Sequence, residues 1–215
     1  MAEQTADNSE KMVSVGKARI IILIAVLAYL SLGIAVGYLY FWRTNQSNRY
    51  DAEIKNAVNT VVENPDDINA RINLGFKYMK AGKYKEAKAE YNAALQIDAN
   101  NILAQLNMAY LYIQTKDYSS ADSILTRLST DDPGFQVYFL LGKSKYLQKK
   151  YPEAVQNLLS ARDTNPTDTE TLYYLGLSYK GLGNKDEAVK VFKRALEFDP
   201  NRKDVQNELA RLGVK

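Results

Sequence analysis

The sequence predicts an all-α fold, a helix-turn-helix solenoid of four repeated units joined to one transmembrane helix. Two observations lead to this prediction. One residue pattern recurs along residues 68–202 with a period of about 34, and the 23 residues from 20 to 42 carry no charged side chain. A period of this length is the signature of stacked helix pairs. An uncharged run of this length is sufficient for a helix that crosses a bilayer.

The N-terminal part is predicted to be a polar cytoplasmic tail, residues 1–19, followed by a transmembrane helix, residues 20–42. At about 1.5 Å per residue this helix is roughly 35 Å long, against about 30 Å for the hydrocarbon core. Lys17 and Arg19 precede it and favour a cytoplasmic N-terminus, with the repeats on the extracytoplasmic side. A cleaved signal peptide with Ala35-Val36-Gly37 as its small-residue site is the alternative interpretation.

Gly33 and Gly37 form a G-x-x-x-G pair inside the predicted span. Such a pair lets two membrane helices touch backbone to backbone, so it predicts a homodimer through this helix. Glycine is common in membrane helices generally, and two incidental glycines are the alternative.

Residues 43–67 are predicted to contain a short polar joint and a leading helix at 51–63. The apolar residues of this helix share one face: Ile54, Ala57, Val58, Val61 and Val62. Pro65 follows the helix and lies 34 residues before Ala99, in phase with the ends of later units. We therefore expect the leading helix to cover the first full repeat.

Each repeated unit combines a small residue in its first helix with a large residue in its second. The large–small pairs of the first helices are Leu74-Gly75, Met108-Ala109, Leu141-Gly142 and Leu175-Gly176. The second helices carry Ala87, Ala121, Ala154 and Ala188, each followed four positions later by Tyr91, Leu125, Leu158 or Phe192. Small residues allow two helices to approach closely, and large ones fill the space beside them.

The fourth unit resembles a tetratricopeptide repeat (TPR). The residues that carry this resemblance are Leu175, Gly176, Tyr179, Ala188, Phe192, Ala195 and Pro200. The family's usual Trp is replaced in the four units by Arg71, Gln105, Tyr138 and Leu172, and the second unit departs most from the pattern. The resemblance implies a right-handed solenoid with units at 68–101, 102–134, 135–168 and 169–202, followed by a capping helix at 203–215.

Composition argues against several classes of function. The chain has no Cys and no His, so we expect no disulfide, no Cys or His metal site and no His-based catalytic triad. From residue 44 onwards, 24 Lys and Arg stand against 22 Asp and Glu, which argues against a nucleic-acid partner. The acidic pairs Asp66-Asp67 and Asp131-Asp132 precede helices, where they are expected to cap N–H groups. We therefore predict neither enzyme activity nor a cofactor.

The resemblance to TPR proteins implies that positions 2, 5, 9 and 12 of each unit line a concave groove. In units one and two these are Asn69, Ile72, Phe76, Met79, Leu103, Leu106, Tyr110 and Ile113. In units three and four they are Gln136, Phe139, Lys143, Tyr146, Glu170, Tyr173, Leu177 and Lys180. One TPR subclass clamps acidic tails, but Ile72 and Phe76 stand at its basic positions here.

We predict that this groove binds a protein partner through a hydrophobic segment, helical or extended. The alternative is that the same side chains only pack between repeats or are covered by the helix at 51–63. At the level of function, the sequence predicts a membrane-anchored scaffold or adaptor that assembles or stabilises an envelope or membrane complex. A permanent structural subunit of a larger complex and a cytosol-facing organelle receptor for protein targeting are the alternatives.

Overall fold

The structure is a computed structural model that describes the backbone of residues 2–131 and 134–214. It describes the side chains of residues 20, 27–41, 49–130 and 134–214. Within these ranges all regular structure is α-helical. The helices are α1 Ala2–Glu63, α2 Ile68–Lys80, α3 Tyr84–Ile97, α4 Ile102–Gln114, α5 Tyr118–Asp131, α6 Phe135–Leu147, α7 Tyr151–Thr164, α8 Thr169–Gly181, α9 Lys185–Phe198 and α10 Lys203–Arg211. The chain divides into two compact units, Met1–Glu53 and Ile54–Lys215.

Helix α1 is continuous where the sequence predicts a polar tail, a span, a joint and a leading helix. Residues 43–50, the predicted joint, contain neither Pro nor Gly, so the helix continues through them and ends before Pro65. Near its end, Ile54 and Ala57 are buried in one cluster with Leu74 of the first repeat. Val62 was predicted on the same face but is exposed. It lies about 100° around the helix axis from the residue that precedes it in the sequence, which turns its side chain away from the repeat.

The predicted transmembrane helix is not confirmed. Among the described side chains, no helix combines the length and the apolar character that crossing a membrane requires. The side chains of residues 21–26 and 42, which belong to the predicted span, lie outside the described residues, as do those of the tail at 1–19. A Cβ added to Gly33 or Gly37 would meet no atom within 4 Å, and the homodimer through this pair stays a prediction.

The predicted solenoid is confirmed for residues 68–202. Helices α2 and α3, α4 and α5, α6 and α7, and α8 and α9 pack as consecutive pairs. The first helix of each pair also contacts the first helix of the next, in the order α2, α4, α6 and α8. Each pair alone leaves an apolar face uncovered, and stacking buries these faces in a continuous core.

The two helices of a unit approach closely where the sequence places its small residue. A Cβ on Gly75 would lie 2.6 Å from the ring of Tyr91, which is completely buried. A Cβ on Gly176 would lie 2.5 Å from the ring of the equally buried Phe192. A real Cβ cannot be this close to another carbon atom, so these positions require glycine at the observed helix separation.

The start of α2 is capped as expected. Asp67 accepts hydrogen bonds from the N–H groups of Asn69 at 2.8 Å and Ala70 at 3.1 Å. These bonds satisfy donors that have no partner within the helix. The corresponding prediction for Asp131-Asp132 lies outside the described side chains.

The turn inside each unit places one residue in the left-handed region of backbone space. Gly82 has a φ of 74° and Gly183 of 77°, whereas Lys116 has 64° and Lys149 has 61°. The next N–H then donates to a carbonyl five residues earlier, as from Asp117 to Tyr112 at 2.8 Å. This is a Schellman ending, in which glycine is favoured because it has no Cβ.

Replacing Lys116 or Lys149 with Gly is expected to raise the free energy of unfolding by about 0.5–1 kcal/mol. The substitution removes a left-handed strain of about 1–2 kcal/mol and adds a smaller entropy cost in the unfolded chain. Urea denaturation followed by circular dichroism measures the change. Lys150→Gly is the matched control. Lys150 has a φ of −85°, outside the left-handed region, so this variant should show no increase in the free energy of unfolding. A loss of stability in both Lys116→Gly and Lys149→Gly would contradict the strain argument.

Candidate protein-binding groove

Two cavities lie on either side of Tyr110. The proximal cavity has a volume of about 220 Å³ and is lined by Phe76, Met79, Lys80, Tyr84, Tyr110 and Gln114. The distal cavity also has a volume of about 220 Å³ and is lined by Leu103, Leu106, Asn107, Tyr110, Gln136 and Leu140. Tyr110 contributes to both, so its side chain forms the wall between them.

The structure brings six of the predicted groove residues to these cavities. They are Phe76, Met79, Leu103, Leu106, Tyr110 and Gln136. Ile72 and Ile113 were also predicted to line the groove, but both are buried in the core between helices. Their positions face the neighbouring helix and serve packing. Asn69 is exposed and lines neither of the two cavities.

Five cavity residues were missed by the prediction from sequence. Asn107 and Leu140 stand at position 6 of their units, and Lys80 and Gln114 stand at position 13. Tyr84 belongs to the start of α3. Positions 2, 6, 9 and 13 follow helical spacing, so a stripe drawn through them would have identified four of the five.

Lys143 lies in an aromatic cluster next to the distal cavity. Its Nζ is 4.8 Å from the ring centre of Tyr174, 5.6 Å from that of Phe139 and 5.8 Å from that of Tyr110. Its side chain is only 13% exposed, and Glu170 Oε1 lies 3.9 Å from its Nζ. A cation is attracted to the faces of aromatic rings. Lys143, predicted as a charge towards one end of the groove, is therefore mostly buried against these rings, and its contact with a partner stays a prediction.

Tyr174 connects this cluster to the rest of units three and four. Its ring centre is 6.1 Å from that of Phe139, 5.5 Å from that of Tyr146 and 5.6 Å from that of Tyr173. Burial raises the pKa of Tyr174 and of Tyr146, which keeps both hydroxyls protonated. Phe139 and Tyr146 were predicted to form part of the groove floor, but they pack edge to face against Tyr174.

Arg202, just before α10, contacts the predicted groove residues at the start of unit four. Its guanidinium donates to Glu170 Oε2 at 2.6 Å and to Thr169 Oγ1 at 2.9 Å. It also lies 5.0 Å from the ring centre of Tyr173 and donates to Asp204 at 3.0 Å. Glu170 and Tyr173 were predicted to face a partner, but they bind the chain's own C-terminal segment.

Glu208 holds α10 against the end of unit four. Its carboxylate accepts hydrogen bonds from Lys180 and Arg211. Burial by itself would raise the pKa of Glu208, but these two cations outweigh it and lower the pKa below its usual value. Leu177 packs against the buried cluster that contains Leu209 of α10. Leu177, a predicted groove residue, therefore packs against the cluster that includes α10. Lys180, also a predicted groove residue, pairs with Glu208 but stays exposed.

A family model described as tetratricopeptide repeat matches residues 78–143. From the last turn of α2 into α6, the chain therefore resembles the tetratricopeptide repeat. A second model, described as Regulator of microtubule dynamics protein 1-3, matches residues 144–213. The two matches lie end to end and together cover the repeated units from the last turn of α2 to the C-terminal helix.

The chain is similar in sequence to the type IV pilus assembly protein PilF of Pseudomonas aeruginosa. The two are 30% identical over 150 residues, which make up 68% of this chain and 60% of PilF. The solved structure of Pseudomonas aeruginosa PilF superposes with a TM-score of 0.63 at 28% identity, over 67% of each chain. This chain therefore spans less than two thirds of the length of the PilF sequence.

The chain is also similar in fold to YrrB, described as a TPR protein with an unusual peptide-binding site. The TM-score is 0.55 at 23% identity, over 69% of this chain and 77% of YrrB. At this identity the likeness concerns the fold, and the peptide-binding site is a property of YrrB.

Replacing Glu208 with Gln is expected to reduce the acid sensitivity of folding. The lowered pKa means that the carboxylate stabilises the fold above its ordinary pKa of 4.5, and that this stabilisation is lost as the pH falls through the folded-state value. At pH 7, Glu208→Gln should cost about 1 kcal/mol in free energy of unfolding, because two charged hydrogen bonds weaken. The decrease in the free energy of unfolding between pH 7 and pH 3 should be smaller in this variant than in the unmodified chain.

Urea denaturation at a series of pH values measures both effects. Glu197→Gln is the matched control, because Glu197 pairs with Arg194 on an exposed surface where ion pairs contribute little. Equal pH dependence in the Glu208 variant and the unmodified chain would contradict the assignment.

Proposed function

We propose that this chain is a TPR scaffold that binds a segment of a protein partner in the proximal and distal cavities. The observation that supports this most directly is the pair of adjacent cavities divided by Tyr110. A single extended or helical segment that passes over Tyr110 reaches both. Solenoids of helix pairs commonly bind partners along such surfaces.

The chemistry of the lining favours an apolar segment. Leu103 is 51% exposed, and Phe76 and Leu106 are half-buried although each lines a cavity. Covering apolar surface lowers the free energy by about 25 cal/mol for each Å² removed from water. An aromatic wall such as Tyr110 at the centre of a contact commonly contributes much of the binding free energy.

The contacts of units three and four support binding at units one to three. Lys143 fills the space between Tyr110 and Tyr174, and Arg202 and Glu208 join α10 to unit four. A partner at this end would have to displace several hydrogen bonds and a cation from aromatic rings. A partner beside Tyr110 displaces water.

A role in the assembly or stabilisation of a membrane-associated complex fits this scaffold. PilF is named as a type IV pilus assembly protein and is 30% identical over the aligned part.

We also propose that α1 holds the repeats at a membrane, with the N-terminal tail in the cytoplasm. Residues 20–42 carry no charge, and Lys17 and Arg19 precede them. The described large apolar side chains of 27–41 are at least 56% exposed, and they are Leu27, Tyr29, Leu30, Leu32, Ile34, Val36, Tyr38, Leu39, Tyr40 and Phe41. A helix that is apolar on every side is stable when lipid or protein covers it. Self-association through the open Gly33 and Gly37 is part of the same proposal.

Replacing Leu103 with Ala is expected to weaken partner binding by about five-fold or more. The lost contact in a desolvated cavity is worth about 1 kcal/mol or more. The measurement is the amount of partner recovered with the full chain after crosslinking in intact membranes. Leu182→Ala is the matched control, because Leu182 is 45% exposed and lines neither cavity. Equal recovery with the two variants would contradict binding in the distal cavity.

The full chain is expected to stay with the membrane pellet after an alkaline carbonate wash. Such a wash removes proteins held by surface charges, whereas a spanning helix stays in the hydrocarbon core. Replacing Leu30 and Ile34 with Lys should release the chain, because charged side chains at the middle of a span are costly. Val62→Lys on the exposed part of α1 near the repeats is the control and should not release it. Recovery of the unmodified chain in the wash would contradict the anchor.

A further inference from the structure

We propose that the proximal cavity selects a partner segment in which a carboxylate group stands next to an apolar side chain. This inference rests on the proposed protein-binding function and names the ligand chemistry of one cavity. The evidence for it is the chemical difference between the apolar side chains on the floor of the cavity and the polar side chains on its rim.

The floor of the proximal cavity is apolar. Phe76 and Met79 lie on α2 and form it, and both pack against the core cluster shared by the first two units. A cavity of about 220 Å³ has room for a large aliphatic or aromatic side chain. Polar groups placed on this floor would lose hydration without gaining a partner, so the floor selects an apolar side chain.

The rim of the same cavity is built from hydrogen-bond donors. Lys80 carries an ammonium group, Tyr84 and Tyr110 carry hydroxyls, and Gln114 carries an amide. No Asp or Glu is among the residues that line this cavity. A ligand that presents an anion can therefore receive hydrogen bonds and an ion pair from one rim.

Lys80 supplies the only formal charge on the lining of the proximal cavity. Its Nζ lies 5.1 Å from the ring centre of Phe76, which places the cation above the floor. Within the part of the chain described with side chains, Lys80 has no ion-pair partner, whereas Lys143 and Lys180 each have a carboxylate within 4.0 Å. A bound segment would shield Lys80 from water, and a carboxylate on that segment offsets the lost hydration.

A neutral or basic segment fits the cavity less well. A neutral segment would cover Lys80 without pairing it, and a basic one would bring like charges together. The carboxylate can come from the C-terminus of the partner chain or from an Asp or Glu side chain. Both present two oxygens to the same donors, and the two sources are separated by experiment.

The test is a selection of random decapeptides, displayed on a surface, against the purified full chain in detergent. We expect the selected peptides to contain a carboxylate next to a Leu, Ile, Met or Phe. Each selected peptide is then synthesised in matched forms, with Glu changed to Gln and with the C-terminus free or amidated. Loss of affinity on amidation identifies a terminal carboxylate, and loss on the change to Gln identifies a side chain.

Fluorescence anisotropy measures the affinities of these peptides. Removing the carboxylate should weaken binding by about two- to five-fold, as for a partly exposed ion pair. Lys80→Glu should weaken binding of the acidic peptides by at least as much. Lys193→Glu on the exposed surface of α9 changes the net charge equally and should have no effect.

The possible failures are distinguishable. Selected peptides that lose affinity with Leu103→Ala but bind Lys80→Glu as well as the unmodified chain would overturn the carboxylate inference and leave the groove intact. Enrichment of basic or neutral peptides would overturn it in the same way. If no peptide is selected, or if none loses affinity with Leu103→Ala or with Lys80→Glu, the proposed function itself fails.

Discussion

The repeat fold depends on the close approach of the two helices in each unit. At the three glycines that hold the small-residue position of the first helices, an added Cβ would lie 2.4–2.6 Å from a completely buried side chain. The contacts are Gly75 with Tyr91, Gly142 with Leu158, and Gly176 with Phe192. This separation brings one face of each first helix into the core and leaves the opposite positions free to line the cavities. The groove therefore exists because the other face is packed at this distance.

The polar residues that replace the family's Trp keep a common structural role. Arg71 donates to the carbonyl of Pro65 at 2.8 Å, and Gln105 donates to that of Ala99 at 2.7 Å. Gln206 of α10 donates to the carbonyl of Pro200 at 2.7 Å. Each acceptor lies six residues earlier, in the loop that ends the preceding unit. Side chains at this position therefore tie consecutive units together through hydrogen bonds at carbonyls that the helices leave unpaired.

The two ends of the groove differ in how their charges are satisfied. Lys143 is held over aromatic rings and near Glu170, and Arg202 pairs with Glu170 and Asp204. These contacts join α8 to the C-terminal segment. Lys80 at the other end lies over one ring and lines an open cavity. The asymmetry gives the solenoid one end where charged side chains pair within the chain and one end where Lys80 lines an open cavity.

The sequence by itself determined the four helix pairs, their small-to-large contacts and most of their ends, because helical periodicity and turn residues act locally. It also placed Phe76, Leu103 and Tyr110 on the groove. Only the tertiary structure decided that Ile72 faces the core and that Lys143 is held by aromatic rings. Both outcomes depend on side chains that lie in a neighbouring unit about 30 residues away, and repeat positions alone do not specify which side chain stands there.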